Sequence, residues 1–543
     1  MKPKKLLAAA ALTLLLTLTA GAEDTTLRVG LTHSGGPVAG ANALTETGYR
    51  LGYFGDDFTF FELATLENRF VTFAMDALVY ISGNTVSQTQ GSGAVAIKPY
   101  HLQVDREFES QWEAQDFLDR VYAGGFSGEG FVAYDEGYRV RLDMYSTYDY
   151  AAADAARIEG YTDGESVSAV GAGSRTVTVV DMNNYHILFE LNPPYGYPAA
   201  YPMNEEDGET LKNGQFYYRG AFEFQRDGGG VTLVNVVEMS DYLKGVLPYE
   251  MSGTWPLEAL KAQALCARTY AISSKGKHAK LGYDLCNTDN CQVYYGTARE
   301  TDVVVQAVEE TAGEIITYGG KPISTYYFSS SGGYTESAQN AWGGTTAPYC
   351  QAVEDTYEDP NVITHYSTTL TLDDLTKFAD SVGANIGAVT DFYVSEYTVP
   401  AHNVYAVTFV GTKGSYTVSK TDNVRIKLNK YVRSARFDIF PAIELFVNAG
   451  TVLDVSPASA YVITGTGDVA QMDVGVRDIT LLTAAGLEKV PADGGTYTIA
   501  GAGLGHNVGM SQYGAKSMAE QGFSYSDIIY HYFTDIEIQS TGD

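Results

Sequence analysis

The stretch YLKGVLPYEMSGTWPLEALKAQALCARTYA, Tyr242 to Ala271, decides more about this 543-residue chain than any other segment. Glu250 stands between Tyr249 and Met251, just ahead of a predicted helix start. Thr254 suits the N-cap of that helix, Pro256 its first turn and Glu258 the positive end of its dipole. Leu257, Leu260 and Ala264 recur at helical spacing and predict a buried face. A carboxyl held against aromatic and apolar side chains is disfavoured in its charged form. The pKa of Glu250 is therefore expected to rise toward the range of a general acid. The alternative is an ordinary glutamate that compensates the dipole of the helix.

Two further blocks stand out downstream. One is YYFSSSGGYTESAQNAWGG, Tyr326 to Gly344; the other is GLGHNVGMSQYGAKSMAEQGFSYSDIIYHYFTDIEI, Gly503 to Ile538. With EMSGTWPLEALKAQALCARTYA, these blocks resemble, in order, the signature of the stage II sporulation protein D family (SpoIID/LytB). Weaker likeness in YYRGAFEF, VTLVNVVEMSDYL and RIKLNKYVRSARFDI extends the resemblance over Ser174 to Ser540. Ser252 replaces the proline usual after Glu-Met and Asn507 replaces a glycine, but the candidate acid is intact.

The chain opens with Lys2, Lys4 and Lys5, an apolar run from Leu6 to about Leu18, and Ala20-Gly21-Ala22. This layout predicts a signal peptide over 1–22, with an N-terminal membrane anchor as the alternative. Either way the protein is expected in the extracytoplasmic cell-wall space. The formal net charge is −31, and loss of the leader lysines makes it more negative. Such a surface argues against nucleic acid and anionic lipid as nonspecific partners.

The expected class is α+β, in a multi-domain chain with a two-lobed catalytic region split by the insertion between Gly344 and Gly503. Residues 23–99 read as a β-rich region without an assigned role. Residues 100–158 alternate as strand, helix, strands and helix and resemble a SPOR domain, a module that binds peptide-stripped glycan strands. Tyr138, Arg139 and Arg141 would then mark its sugar-binding face. Residues 159–173 read as a linker and 174–541 as the SpoIID-like region.

The resemblance implies a peptidoglycan lytic transglycosylase. It would cleave the β-1,4 bond from N-acetylmuramic acid to N-acetylglucosamine with Glu250 as acid and then base, because the C6 hydroxyl of the substrate is the nucleophile. No cofactor is then required, and no oligomeric state follows. Lys261, Gln263 and Arg268 on the signature helix are candidate substrate-binding residues. Ser329, Ser330, Ser331 and Tyr334 of the second block join them, the glycines there allowing close backbone approach and Glu336 orienting the serines. From the third block come His506, Ser511, Gln512 and Tyr513, polar groups suited to a saccharide groove. The partners implied are glycan strands and a cell-wall amidase, since the LytB branch of the family supplies the alternative reading, a non-catalytic amidase enhancer.

Four cysteines lie in this region: Cys266, Cys286, Cys291 and Cys350. Some family members bind zinc at the Cys-x4-Cys pair through a histidine where this chain has Asn290. A Cys286–Cys291 disulfide is therefore favoured slightly over zinc held by Cys286, Cys291 and His278, and a free thiol pair is the third reading. Cys266 is expected as buried packing.

Overall fold

The computed structural model describes residues 25–540, apart from residues 33, 227, 345–346, 362–363 and 442 and short stretches between 448 and 494. From 443 to 491 the backbone strands are described without their side chains. The leader read over 1–22 lies outside the described residues. No helix of the described residues is long and apolar enough to cross a membrane.

The protein is a mixed α+β, multi-domain molecule. A seven-stranded sheet runs in the order 285–286, 26–30, 232–238, 221–225, 198–202, 49–54 and 60–66. A ten-stranded sheet runs in the order 167–170, 100–104, 138–145, 130–135, 187–192, 177–181, 70–75, 40–44, 211–213 and 216–218. Between the two, the ring of Phe73 stacks on Phe224 with centroids 3.8 Å apart.

This topology corrects the division of the chain. Residues 23–99 are not a unit apart: Thr26–Gly30 pairs antiparallel with Thr232–Glu238, the strand that leads into the Glu250 segment. Alternating burial of single strands could not reveal a partner two hundred residues away. The stretch read as a linker is also structural, because Val167–Val170 pairs with Tyr100–Val104. It completes a β-α-β-β-α-β unit whose strands lie in the order fourth, first, third, second.

The helices of that unit are α1 (Gln111–Ala123) and α2 (Tyr148–Glu159), capped by Ser110 and Thr147. Helix α1 buries Ala114, Phe117, Leu118 and Val121, a stripe at helical spacing. The strand expected to bind sugar is otherwise engaged. Arg141 is buried and paired with Glu190, Arg139 pairs with Glu107, and the Tyr138 hydroxyl is bonded to the Leu63 carbonyl.

Strand Thr232–Glu238 runs directly into α3 (Met239–Glu250), so Glu250 is the last residue of one helix as well as standing just ahead of the next. Helix α4 (Leu257–Ser273) follows, with Pro256 at its N-cap and no side-chain cap from Thr254, whose hydroxyl bonds Ser252 instead. Nearly every residue from Ala259 to Ala271 of α4 is buried, not one face alone. Its alanines let neighbours approach from all sides, among them α3 and α5 (Asp302–Glu310). Cys266 is buried within this helix, as expected.

The second block continues into α6 (Ala338–Trp342). Beyond it, residues of the insertion build an apolar core of their own around Leu375, Phe392, Val407, Phe409 and Ile499. Helices α7 (Leu372–Ser381) and α8 (Thr421–Lys427) belong to this part. The chain then returns to α4 through α9 (Gln512–Glu520) and α10 (Tyr525–Tyr532).

Candidate functional site

Three segments distant in sequence meet at Glu250. Tyr327–Phe328 pairs in parallel with Met510–Ser511, which joins the second and third blocks into one short sheet. Gly509 makes this pairing possible: its φ is +78°, and a Cβ there would lie 2.1 Å from the Tyr326 carbonyl. The segment 292–296 is laid against α3 by Gly245, where a Cβ would lie 2.5 Å from the Tyr294 ring. These two close approaches bring the Tyr327 hydroxyl, the Val293 N–H and the Gln512 amide to the Glu250 carboxyl as hydrogen-bond donors.

Burial raises the pKa of Glu250, and the three donors, which favour the carboxylate, offset only part of the effect. No charged neighbour among the described residues contributes. Behind the carboxyl the contacts form a chain. The Tyr242 hydroxyl donates to Gln292 Oε1 (3.1 Å), and Gln292 Nε2 donates to the Tyr327 hydroxyl (3.1 Å). On the other side Gln512 Nε2 lies 3.4 Å from Gln263 Oε1. Two aromatic pairs belong to the segments that meet here, Tyr249 against Tyr295 (5.1 Å) and Trp255 against Tyr513 (5.1 Å).

Of the residues expected at the site, Gln512 reaches Glu250 directly, Gln263 through Gln512, and Tyr513 packs on Trp255 of the signature loop. The others are placed differently. Arg268 is buried and donates to the carbonyls of Thr311 (2.6 Å), Val308 (3.1 Å) and Glu314 (3.3 Å), so it fastens the end of α5 to α4. Lys261 pairs with Glu258 and Glu310 and lies over the Tyr525 ring. Ser331 donates to Glu358 (2.9 Å), and Ser511 Oγ lies 3.4 Å from the same carboxylate. Ser330 is buried, and Ser329 offers its carbonyl to the Tyr513 N–H. Tyr334 forms an isolated bridge with Glu354.

Glu336 does not orient the serines. It accepts from Thr398 (2.7 Å) and Asn403 (3.1 Å) and so ties the second block to the insertion. His506 is packed among Tyr326, Phe328 and Trp342, and burial pushes its pKa down to about 4. Its neutral ring accepts from the Val508 N–H (3.1 Å) and bonds the Tyr327 backbone, so it braces the strand that carries the Tyr327 hydroxyl.

The sequence reading missed Tyr327, Gln292 and Val293. Tyr327 lies inside a quoted block, but nothing in its local pattern separates it from Tyr326. Only the parallel pairing with Met510 turns one of the two toward Glu250.

All four cysteines are free thiols, so the favoured disulfide is not formed. The His278 ring lies 3.2 Å from Cys291 Sγ, and Cys286 Sγ lies 3.3 Å from the Thr288 hydroxyl. The donor atoms of His278, Cys286 and Cys291 all lie within 4.8 Å of one another. One imidazole and two sulfurs fit a zinc ion with a fourth position left for water, whereas Asn290 offers no donor suited to it. Such an ion would pin the loop that leads to Gln292 and Val293. Burial holds the Cys291 thiol up at about 11, so metal would have to displace its proton.

Three motifs distant in sequence thus converge on one partly buried carboxyl in a mixed α+β scaffold. A family model described as Stage II sporulation protein (SpoIID) matches residues 227–318. The chain is 30% identical over 377 residues, 69% of its length, to an uncharacterized protein of Brachyspira hyodysenteriae, of which it covers 85%. It is 28% identical to the Stage II sporulation protein D of Bacillus amyloliquefaciens, over 56% of this chain and 75% of that one. It is 32% identical to the amidase enhancer of Bacillus subtilis, over 55% of this chain and 40% of that one. The protein belongs to the SpoIID family.

Proposed function

We propose that this chain is an exported lytic transglycosylase of peptidoglycan that acts on peptide-stripped glycan strands. The observation that supports this reading is the state of Glu250: its pKa is raised by burial, and among the described residues no charged neighbour contributes to the shift. Hydrolases of glycosidic bonds use two carboxyl groups about 5–10 Å apart, one to activate water or attack the sugar. A single carboxyl with a raised pKa suits a reaction whose nucleophile is the substrate itself.

In the first half-step protonated Glu250 gives its proton to the glycosidic oxygen as the bond to C1 of N-acetylmuramic acid breaks. The resulting carboxylate is stabilised by the Tyr327, Val293 and Gln512 donors. It then takes the proton of the C6 hydroxyl as that oxygen closes on C1, leaving a 1,6-anhydro end and Glu250 protonated again. The Trp255–Tyr513 and Tyr249–Tyr295 pairs supply aromatic faces for sugar stacking.

The second reading, an enhancer of a cell-wall amidase, rests on the identity to the Bacillus subtilis amidase enhancer. One experiment separates the two. Stripped and intact glycan strands are incubated with wild type and with Glu250→Gln, each with and without an amidase, and the fragments are weighed. Anhydro-ended fragments from the wild type alone support the transglycosylase. Equal acceleration of the amidase by both proteins, with no new chain ends from either, supports the enhancer.

A further inference from the structure

A second cluster of metal-ligating side chains lies far in sequence from Glu250, within the ten-stranded sheet. His101 comes from the strand Tyr100–Val104, Glu190 from Ile187–Asn192, and Asp76 follows directly on Phe70–Met75. All three are buried, with exposures of 1%, 1% and 2%. One donor atom from each lies within 4.8 Å of the others.

What sets this cluster apart from an ordinary buried ion-pair network is its unused atoms. Asp76 Oδ1 is buried without a hydrogen-bond partner, and His101 Nε2, also buried, faces only Glu190 Oε1 in a loose contact at 3.3 Å. The other atom of each side chain is held. His101 Nδ1 lies 2.7 Å from the Asp143 carbonyl and donates to it, so Nε2 carries the lone pair when the ring is neutral; burial opposes the protonated ring but Glu190 beside Nε2 favours it, and a bound cation would displace that proton. Asp76 Oδ2 accepts from the Gly173 N–H at 2.6 Å. Metal-ligating histidines are oriented in this manner, with the far ring nitrogen donating to a backbone carbonyl.

The neighbouring cations do not fill the gap. Arg141 binds Glu190 Oε2 at 2.5 Å, and Arg226 donates to the carbonyls of Asp76 and Thr176. Glu190 Oε1, which takes the Thr178 hydroxyl at 3.2 Å, stands 3.3 Å from His101 Nε2. Bonds of about 2.0 Å at tetrahedral angles place neighbouring donor atoms about 3.3 Å apart, so this separation is the edge of a zinc-sized coordination shell.

We propose that Asp76, His101 and Glu190 bind a structural divalent cation of the zinc class, through one imidazole nitrogen and two carboxylate oxygens. The ion staples the first strand of the β-α-β-β-α-β unit to strands from both flanking stretches of chain. It is independent of the His278, Cys286 and Cys291 set and of the reaction at Glu250.

The test uses the full chain with Cys286→Ser and Cys291→Ser, which removes the sulfur donors of the other set. After equilibration with zinc chloride and gel filtration, elemental analysis is expected to find one zinc per chain. X-ray absorption is expected to show nitrogen and oxygen neighbours only. Adding His101→Gln or Asp76→Asn should abolish that zinc, and chelation should lower the Tm of the parent but not of these variants. A folded parent without zinc overturns the proposal, as does zinc retained by both added variants. If the added variants fail to fold, the absorption spectrum of the parent decides: a shell without one imidazole and carboxylate oxygens is equally fatal. If the serine parent itself fails to fold, cobalt replaces zinc in the wild type, where only the cysteine set gives intense sulfur-to-cobalt bands. Cobalt bound solely in the sulfur-ligated form refutes the second site.

Discussion

Replacing Tyr327 by Phe removes one oxygen and leaves the ring to fill its place. That oxygen donates to the Glu250 carboxyl and accepts from Gln292 Nε2, which keeps a second acceptor in the Ala267 carbonyl at 3.5 Å. The loss therefore falls mainly on Glu250. A hydrogen bond to a charged group contributes about 1.5–3 kcal/mol, and 1.36 kcal/mol corresponds to one unit on the pH scale. The phenol favours the carboxylate, so its removal favours the protonated acid. In a profile of anhydro-end formation against pH, activity falls on the alkaline side as Glu250 loses its proton. That limb is expected to move to higher pH by about one to two units in Tyr327→Phe. The plateau should also fall, because the carboxylate left by proton transfer has lost a donor. An alkaline limb that stays in place or moves to lower pH would refute the assignment of Tyr327 as the positioning donor of Glu250.

Three further expectations follow from the same contacts. Glu250 holds its proton more tightly in the folded than in the unfolded chain, so its contribution to stability is present at low pH and lost as pH rises through the folded pKa. Glu250→Gln should accordingly raise Tm at pH 8 and leave it nearly unchanged at pH 4; equal changes at both would contradict the raised pKa. Arg268→Met strips the buried carbonyls of Val308, Thr311 and Glu314 of a shared donor and should cost about 3 kcal/mol or more in urea unfolding. A change in KM for glycan without loss of stability would return Arg268 to the binding site. Ser331→Ala loses the bond to Glu358 and should cost about 1–2 kcal/mol while KM stays within about twofold, as a large rise in KM would not allow.

The sequence made the α+β class and the signature helix legible through local pattern, spacing and an unusual run of small side chains, whereas Glu250 was singled out as the candidate acid by the family resemblance and not by local pattern alone. It did not disclose what α4 does with its polar residues. Lys261, Gln263 and Arg268 look alike as polar positions on a helix, yet one lies in an ion-pair network, one is linked to Glu250 through Gln512, and one caps a neighbouring helix. A helix buried on all sides cannot be sorted into faces by periodicity. The role of Ser331 was hidden for a related reason. Its partner, Glu358, lies beyond the block, and a serine that fastens a turn has the same local sequence context as one that awaits a ligand. The N-terminal strands were invisible as part of the larger sheets because strand pairing at a separation of two hundred residues leaves no periodic trace.

The most direct test of the central claim is to digest peptide-stripped glycan strands in water enriched in oxygen-18 and weigh the new chain ends. If Glu250 works alone and the C6 hydroxyl of the substrate closes on C1, the new muramic ends are anhydro sugars without heavy oxygen. Heavy oxygen at new reducing ends would mean that water is the nucleophile, and the one-carboxylate account would be wrong.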